Sequence, residues 1–172
     1  MDFTNTQIHH DTLPDIDDVV LKPISSQYIK VIIINKLLLY TVCFGFLILG
    51  KFMITKAGFQ NNFWLIISIV FIFCVINFVL ALLAFRKRKY AIREHDVIYA
   101  HGLIVNTITT VPISRIQHIE ESRSWLSRQF HLATLNIYTA GESGSDLSIK
   151  GLPQHEARQV NDFISAKVNE NN

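Results

Sequence analysis

FWLIISIVFIFCVINFVLALLAF, residues 63–85, runs for 23 residues without a charged side chain. At about 1.5 Å of rise per residue, such a helix is roughly 35 Å long, enough to cross the roughly 30 Å hydrocarbon core of a bilayer with some tilt. A water-soluble fold needs no such run. Upstream, LLLYTVCFGFLILG at 37–50 adds 14 uncharged residues between Lys36 and Lys51. Lysines near helix ends snorkel towards headgroups, so a first span is expected over about 31–55, with Asn35 and Lys36 near one surface and Lys51 near the other. KAGFQNN at 56–62 then reads as a short polar turn, making residues 31–85 an antiparallel hairpin.

The 172 residues are 49% hydrophobic, with 16 Lys+Arg against 14 Asp+Glu, and the apolar excess sits in these two runs. They leave room for one small domain, 86–172, which excludes a multidomain soluble enzyme. That segment holds eleven basic and nine acidic side chains, and 1–62 holds five of each. Neither has the one-sided charge of a nucleic-acid binder, so no nucleic-acid partner is expected. Cys43 and Cys74 both fall inside the runs, which excludes a disulfide framework or a cysteine-rich metal site. The first 21 residues contain no Lys or Arg and carry Asp2, Asp11, Asp15, Asp17 and Asp18. They do not fit a secretory signal, and residues 1–30 are expected to form a tail preceding two retained spans.

Basic residues at the helix ends set the orientation. Arg86, Lys87, Arg88 and Lys89 follow the second span directly, with Arg93 beyond; Lys22, Lys30 and Lys36 flank the first, and the turn offers only Lys51 and Lys56. This predicts a multi-pass membrane protein with both termini and the domain in the cytoplasm. The cluster at 86–89 is then a membrane-surface patch attracted to anionic lipid. Polar groups at membrane depth are few: Tyr40, Thr41, Ser68 and Asn77. No Asp, Glu, His or Arg lies in either apolar core, which argues against a transporter, and Asn77 is expected to hydrogen-bond between helices.

Beyond the basic stop the texture becomes that of strands. Residues 90–95 and 97–101 read as a hairpin around Glu94, His95 and Asp96, and 104–113 as a strand rich in Val, Ile and Thr. In ATLNIYTA at 133–140, Leu135, Ile137 and Thr139 alternate with Thr134, Asn136 and Tyr138; residues 141–145 supply a turn, and Leu147 and Ile149 belong to a last strand. Residues 125–130 fit a short helical turn. After Pro153, Ala157, Val160, Ile164 and Val168 recur at helical spacing, with Phe163 widening the stripe. The fold class expected is therefore a two-helix membrane hairpin followed by a mainly-β domain, an antiparallel barrel or sandwich with a C-terminal helix.

VPISRIQHI at 111–119, LSRQFHLA at 126–133 and YTAG at 138–141 together resemble the bacterial PH-like domain of small YdbS-like membrane proteins. The two preceding spans, Pro23-Ile24 and Gly151-Leu152 extend the resemblance over nearly the whole chain beyond about residue 20. It implies a pleckstrin-homology-like domain with a C-terminal helix, tethered at the inner face of the membrane. It also implies a membrane complex, since members often occur beside a larger relative carrying several copies of the domain. The family commonly has Gly where this chain has His131, so the local turn is expected to differ here.

No catalytic constellation stands out. The seven histidines are scattered at 9, 10, 95, 101, 118, 131 and 155 without metal-ligand spacing, and no metal or cofactor is expected. The turn at 141–145 misses the nucleophile-elbow pattern. Arg93, Glu94, His95 and Asp96 in the first hairpin are mixed in sign, unlike the basic hairpin of phosphoinositide-binding PH domains. Arg115, Gln117, Arg123, Trp125 and Arg128 are the candidate contacts to a partner or a lipid. The structural alternative has Arg115 and Gln117 bonding backbone at the Pro112 turn, Arg128 pairing with a carboxylate and Trp125 filling the core. The function expected is a non-enzymatic binding or assembly module in a membrane complex with itself or a related multi-copy protein. The alternative is an envelope-stress or antimicrobial-peptide resistance component acting at the bilayer.

Overall fold

The computed structural model describes residues 19–139 and 147–170. Two long helices, α1 (Tyr28–Met53) and α3 (Phe63–Arg86), pack together as the expected hairpin. Where the sequence reads as a plain polar turn, they are joined by a one-turn helix, α2 (Ala57–Asn61). The Gln60 amide accounts for it, donating at 2.6 Å to the carbonyls of both Lys51 and Ile54, which the end of α1 leaves without helical partners. Only 6% of the apolar window of either helix is buried, so these are not the core helices of a soluble protein. Thr41 and Ser68 satisfy their hydroxyls on their own helices by donating to the carbonyls of Leu37 and Trp64.

The domain consists of two antiparallel sheets. The first runs β1 (Lys22–Pro23), β2 (Lys89–Ile92), β3 (Asp96–His101) and β4 (Thr107–Pro112); the second runs β5 (Ile116–Ser122), β6 (Leu132–Thr139) and β7 (Leu147–Pro153). A 3-10 turn at Ile113–Arg115 links them, α4 (Trp125–Gln129) joins β5 to β6, and α5 (Gln154–Glu170) closes the domain. Of the two expected forms this is the sandwich, since among the described residues the sheets do not join into a closed barrel. Alternation places Leu135 and Ile137 of β6 in the core, with Ile149 and Leu147 of β7 and Val97 of β3. Ala157 and Ile164 of α5 are fully buried and Val160 and Val168 flank them, as their spacing predicts. Phe163 does not widen that stripe: about 100° around the helix from Ile164, it lies on the exposed rim.

Two sequence expectations are corrected. The last part of the expected tail over 1–30 belongs to the domain: Lys22 and Pro23 pair with Tyr90 and Lys89, and Ile24 enters the core. The strand expected over 104–113 begins only at Thr107, because Gly102, at φ 106°, turns the chain out of β3 and residues 102–106 form a loop. The turn at 141–145, Ala140, His9 and His10 lie outside the described residues.

Two left-handed backbone positions fix how helices and sheets meet. Gly151, at φ 83°, is the unpaired residue of a β-bulge, between Ala133↔Leu152 and Thr134↔Lys150. Its carbonyl thereby accepts the Ser25 N–H at 3.0 Å, and Tyr28, at the start of α1, lies directly on its Cα: a Cβ there would be 2.5 Å from the Tyr28 ring. His131 has φ 53° and follows α4. Its N–H bonds the Arg128 carbonyl, and its own carbonyl accepts from Gln154, the first residue of α5. Despite the histidine, the turn keeps glycine-like geometry.

Opposite effects follow at these positions. Gly151→Ala should destabilise the domain by about 2–4 kcal/mol, through φ strain and overlap with Tyr28, whereas His131→Gly should stabilise it by about 0.5–1 kcal/mol. Thermal unfolding of the full-length protein in mild detergent, followed by circular dichroism, measures both.

Candidate functional site

The helices leave the domain at one end, and that end organises its surface. β1 runs into α1 within five residues of Pro23, and β2 begins three residues after Arg86. Register places Pro23 beside Lys89, Lys89 beside Ala100 and His101 beside Thr107, so these ends of the first sheet share the helix side. In the second sheet the helix side is the end bearing Ser122, Leu132 and Pro153, since Tyr28 sits on Gly151 and α4 packs on α1. The far end carries the turn between β2 and β3, the 3-10 turn and the start of β5, tied together by the Ile113 N–H donating to the His95 carbonyl at 2.8 Å.

This geometry divides the five predicted contact residues. Arg115 and Gln117 lie at the far end; Arg123, Trp125 and Arg128 lie at the helix end, the length of β5 away, roughly 20 Å. The division follows from β5, a seven-residue strand that intervenes between the two groups. Gln117 is the extra residue of a bulge between Ile116↔Thr139 and His118↔Tyr138, which turns it out of the ladder. The backbone bonds expected for Arg115 and Gln117, and the carboxylate expected for Arg128, do not form among the described residues, where these side chains are exposed. Arg123 does pair, with Glu121 at 3.3 Å. Trp125 is 70% exposed and fills no core; the Ser124 hydroxyl caps its helix by accepting the Ser127 N–H. Of the basic cluster, Arg86, Lys87 and Lys89 are exposed, while Arg88 is half-buried with its guanidinium 6.0 Å from the Tyr28 ring centre.

Two polar clusters bridge elements far apart in sequence. Outside the hairpin, Lys22 Nζ donates to Glu156 Oε1 at 2.6 Å and the Tyr90 hydroxyl donates to Oε2 at 2.6 Å, clasping β1, β2 and α5. Partial burial pushes the Glu156 carboxyl up, but hydrogen bonds from Lys22 and Tyr90 and the Lys22 charge outweigh it, holding the group below the ordinary carboxylate range. Burial, then the bond to Glu156, pushes the Tyr90 hydroxyl upward, so it remains a donor. Sequence periodicity gave no sign of this clasp, because Lys22 and Tyr90 fall in short edge strands; the acidic residue in the first turn of α5 was the one legible signal.

Inside the hairpin, Asn77 bonds across the helices as expected. Its Oδ1 accepts from Lys36 Nζ at 2.6 Å and from the Tyr40 hydroxyl at 3.0 Å. Lys51 marks the turn side, its ammonium over the rings of Phe63 and Trp64 at 4.6 and 5.2 Å. Fifteen residues separate the two lysines, about 22 Å along the helix, and Lys36 stands level with Asn77 of α3. It has no carboxylate partner among the described residues. Beside it opens a groove of about 310 Å³, lined by Leu37, Tyr40, Phe44, Phe71, Cys74 and Phe78.

Residues 38–168 match the family model of the bacterial PH domain. The transmembrane protein YdbS of Bacillus subtilis (strain 168) is 31% identical over 109 residues, 63% of this chain and 64% of that protein. The match therefore spans less than two thirds of that relative's length. No solved structure matches.

The clasp carries a pH dependence of known sign. Since folding lowers the Glu156 pKa, its contribution is full above the ordinary carboxyl range and is lost as pH falls through the folded value. Glu156→Gln should cost about 1–2 kcal/mol at neutral pH and flatten the fall in melting temperature below about pH 5 relative to wild type. Parallel melts across that range check it.

Proposed function

This chain belongs to the bacterial PH domain family, and from that premise we propose that it is a non-enzymatic binding or assembly module of the bacterial inner membrane. It is a membrane protein with two transmembrane helices and a PH-like domain. In the proposed reading both termini and the domain face the cytoplasm, and the hairpin joins a complex with a second copy or a related membrane protein. The exposed Arg115, Gln117, Arg123, Trp125 and Arg128 are available for contacts to partner or lipid, and Arg86, Lys87 and Lys89 attract anionic headgroups.

The observation that carries the assembly role is Lys36. On the reading that Lys51 sits at the turn-side surface, Lys36 falls inside the apolar slab, where a lysine is expensive to keep and persists where something pairs with it. Here an amide and a phenol engage it, and neither carries charge. The adjoining groove is lined by apolar side chains, a surface on which a helix of a related membrane protein could pack and bring a carboxylate to the same depth. The orientation rests on the excess of basic residues at the domain side of the hairpin.

Affinity purification from membranes in mild detergent, after cross-linking, tests the assembly. A second copy or a membrane-protein partner should co-elute with wild type, and a partner whose helix supplies the carboxylate should fall about tenfold with Lys36→Leu, the loss of one charge pair of about 1.4 kcal/mol or more. A monomer without partners would refute the complex. A C-terminal reporter active only outside the cytoplasm should remain silent; strong activity would reverse the orientation.

A further inference from the structure

The loop between β3 and β4, residues 102–106, leaves the first sheet at its helix end, beside the point where the chain emerges from α3. It carries Leu103, Ile104 and Val105 in succession, and Ile104 is 90% and Val105 73% exposed. Its shape is tightly determined. Gly102 adopts φ 106°, and a Cβ there would meet the Val105 carbonyl at 1.9 Å, so the apolar residues are held out from the sheet edge by backbone packing. Ile108, at the start of β4, is also exposed on this side. Residues 97–119 contain no Asp or Glu, while exposed Lys87 and Lys89 stand at the same end.

A second apolar projection stands on the other sheet. Trp125 begins α4, which packs on the first turns of α1, where Lys30 lies 5.7 Å from the Phe130 ring centre. Arg123 and Arg128 flank it. Thus the helix end of the domain presents two exposed apolar points, one per sheet, with basic side chains near both.

We propose that residues 103–105 form a wedge that enters the leaflet from which α1 and α3 emerge, with Trp125 as a second contact, so that the domain lies docked on its own bilayer. The occupant is the lipid surface. The spans are continuous with this end of the domain through two-residue and four-residue connections, which keep both points within reach of the headgroups. Basic side chains complement anionic headgroups, while the apolar tips have no cover from this chain. The inference holds on whichever side of the membrane the domain lies and does not depend on any protein partner.

The test uses the full-length protein in vesicles of phosphatidylcholine and phosphatidylglycerol whose acyl chains carry bromine near the headgroup or near the chain end. Ile104→Trp in a Trp64→Phe, Trp125→Phe background gives a single indole at the wedge; Trp64→Phe alone isolates Trp125. Both indoles should emit in the blue and be quenched about twofold by shallow bromine and less by deep bromine, as interfacial insertion requires. Emission matching a water-exposed indole, without quenching by either lipid, would overturn the proposal. A blue shift without bromine quenching would also overturn it, placing a protein surface there instead. Circular dichroism verifies folding, and Val105→Trp repeats the measurement at the neighbouring exposed position should the first variant misfold.

Discussion

The seat of Tyr28 on the bulged Gly151 is the contact on which the rest of the arrangement depends. In an unbulged strand the Gly151 carbonyl would belong to the ladder, and a larger residue would hold the tyrosine ring away. Instead the first turn of α1 lies against the second sheet, while β1, just before it, completes the first. Phe85, at the end of α3, packs on the same core as Tyr28. The domain is therefore mounted directly on the helix ends. Its orientation relative to the bilayer follows from packing, with no flexible linker to relax it.

The two lysines of α1 and β1 show how surroundings decide what one side chain needs. Lys22, more than half exposed, pairs with a carboxylate; on its own such a bridge contributes little, and the Tyr90 hydroxyl and three-element geometry make it a clasp. Lys36, half-buried between two apolar helices, has Asn77 and Tyr40 as neighbours. Electrostatic interactions strengthen in such surroundings, so identical bonding distances of 2.6 Å have different weight at the two sites.

Features that repeat locally were legible in the sequence: the 23-residue run, the alternation of β6, the stripe of α5, and Asn77 as a lone amide between apolar neighbours. What escaped depends on distant pairing. β1 has two residues, too few for a period, and exists because β2 offers an edge. Leu103, Ile104 and Val105 have strand-like side chains, yet Gly102 and the pairing of His101 with Thr107 exclude them from the ladder. Arg115 and Gln117 are close to Trp125 in sequence, but the intervening residues form β5 and carry them to opposite ends. Composition also left barrel and sandwich open, because the choice rests on which strands fail to meet.

Because β1 precedes both spans and β2 follows them, the first sheet has a built-in order of assembly. Lys22 can find Tyr90 only after the intervening hairpin has closed and brought the two exits together. Until then β2 keeps an unpaired edge, and Glu156 lacks one of its donors. Burial of Ile24 in the folded domain thus follows the meeting of the two exits, whereas a chain whose hairpin had not closed would display an open strand to neighbours and to proteases.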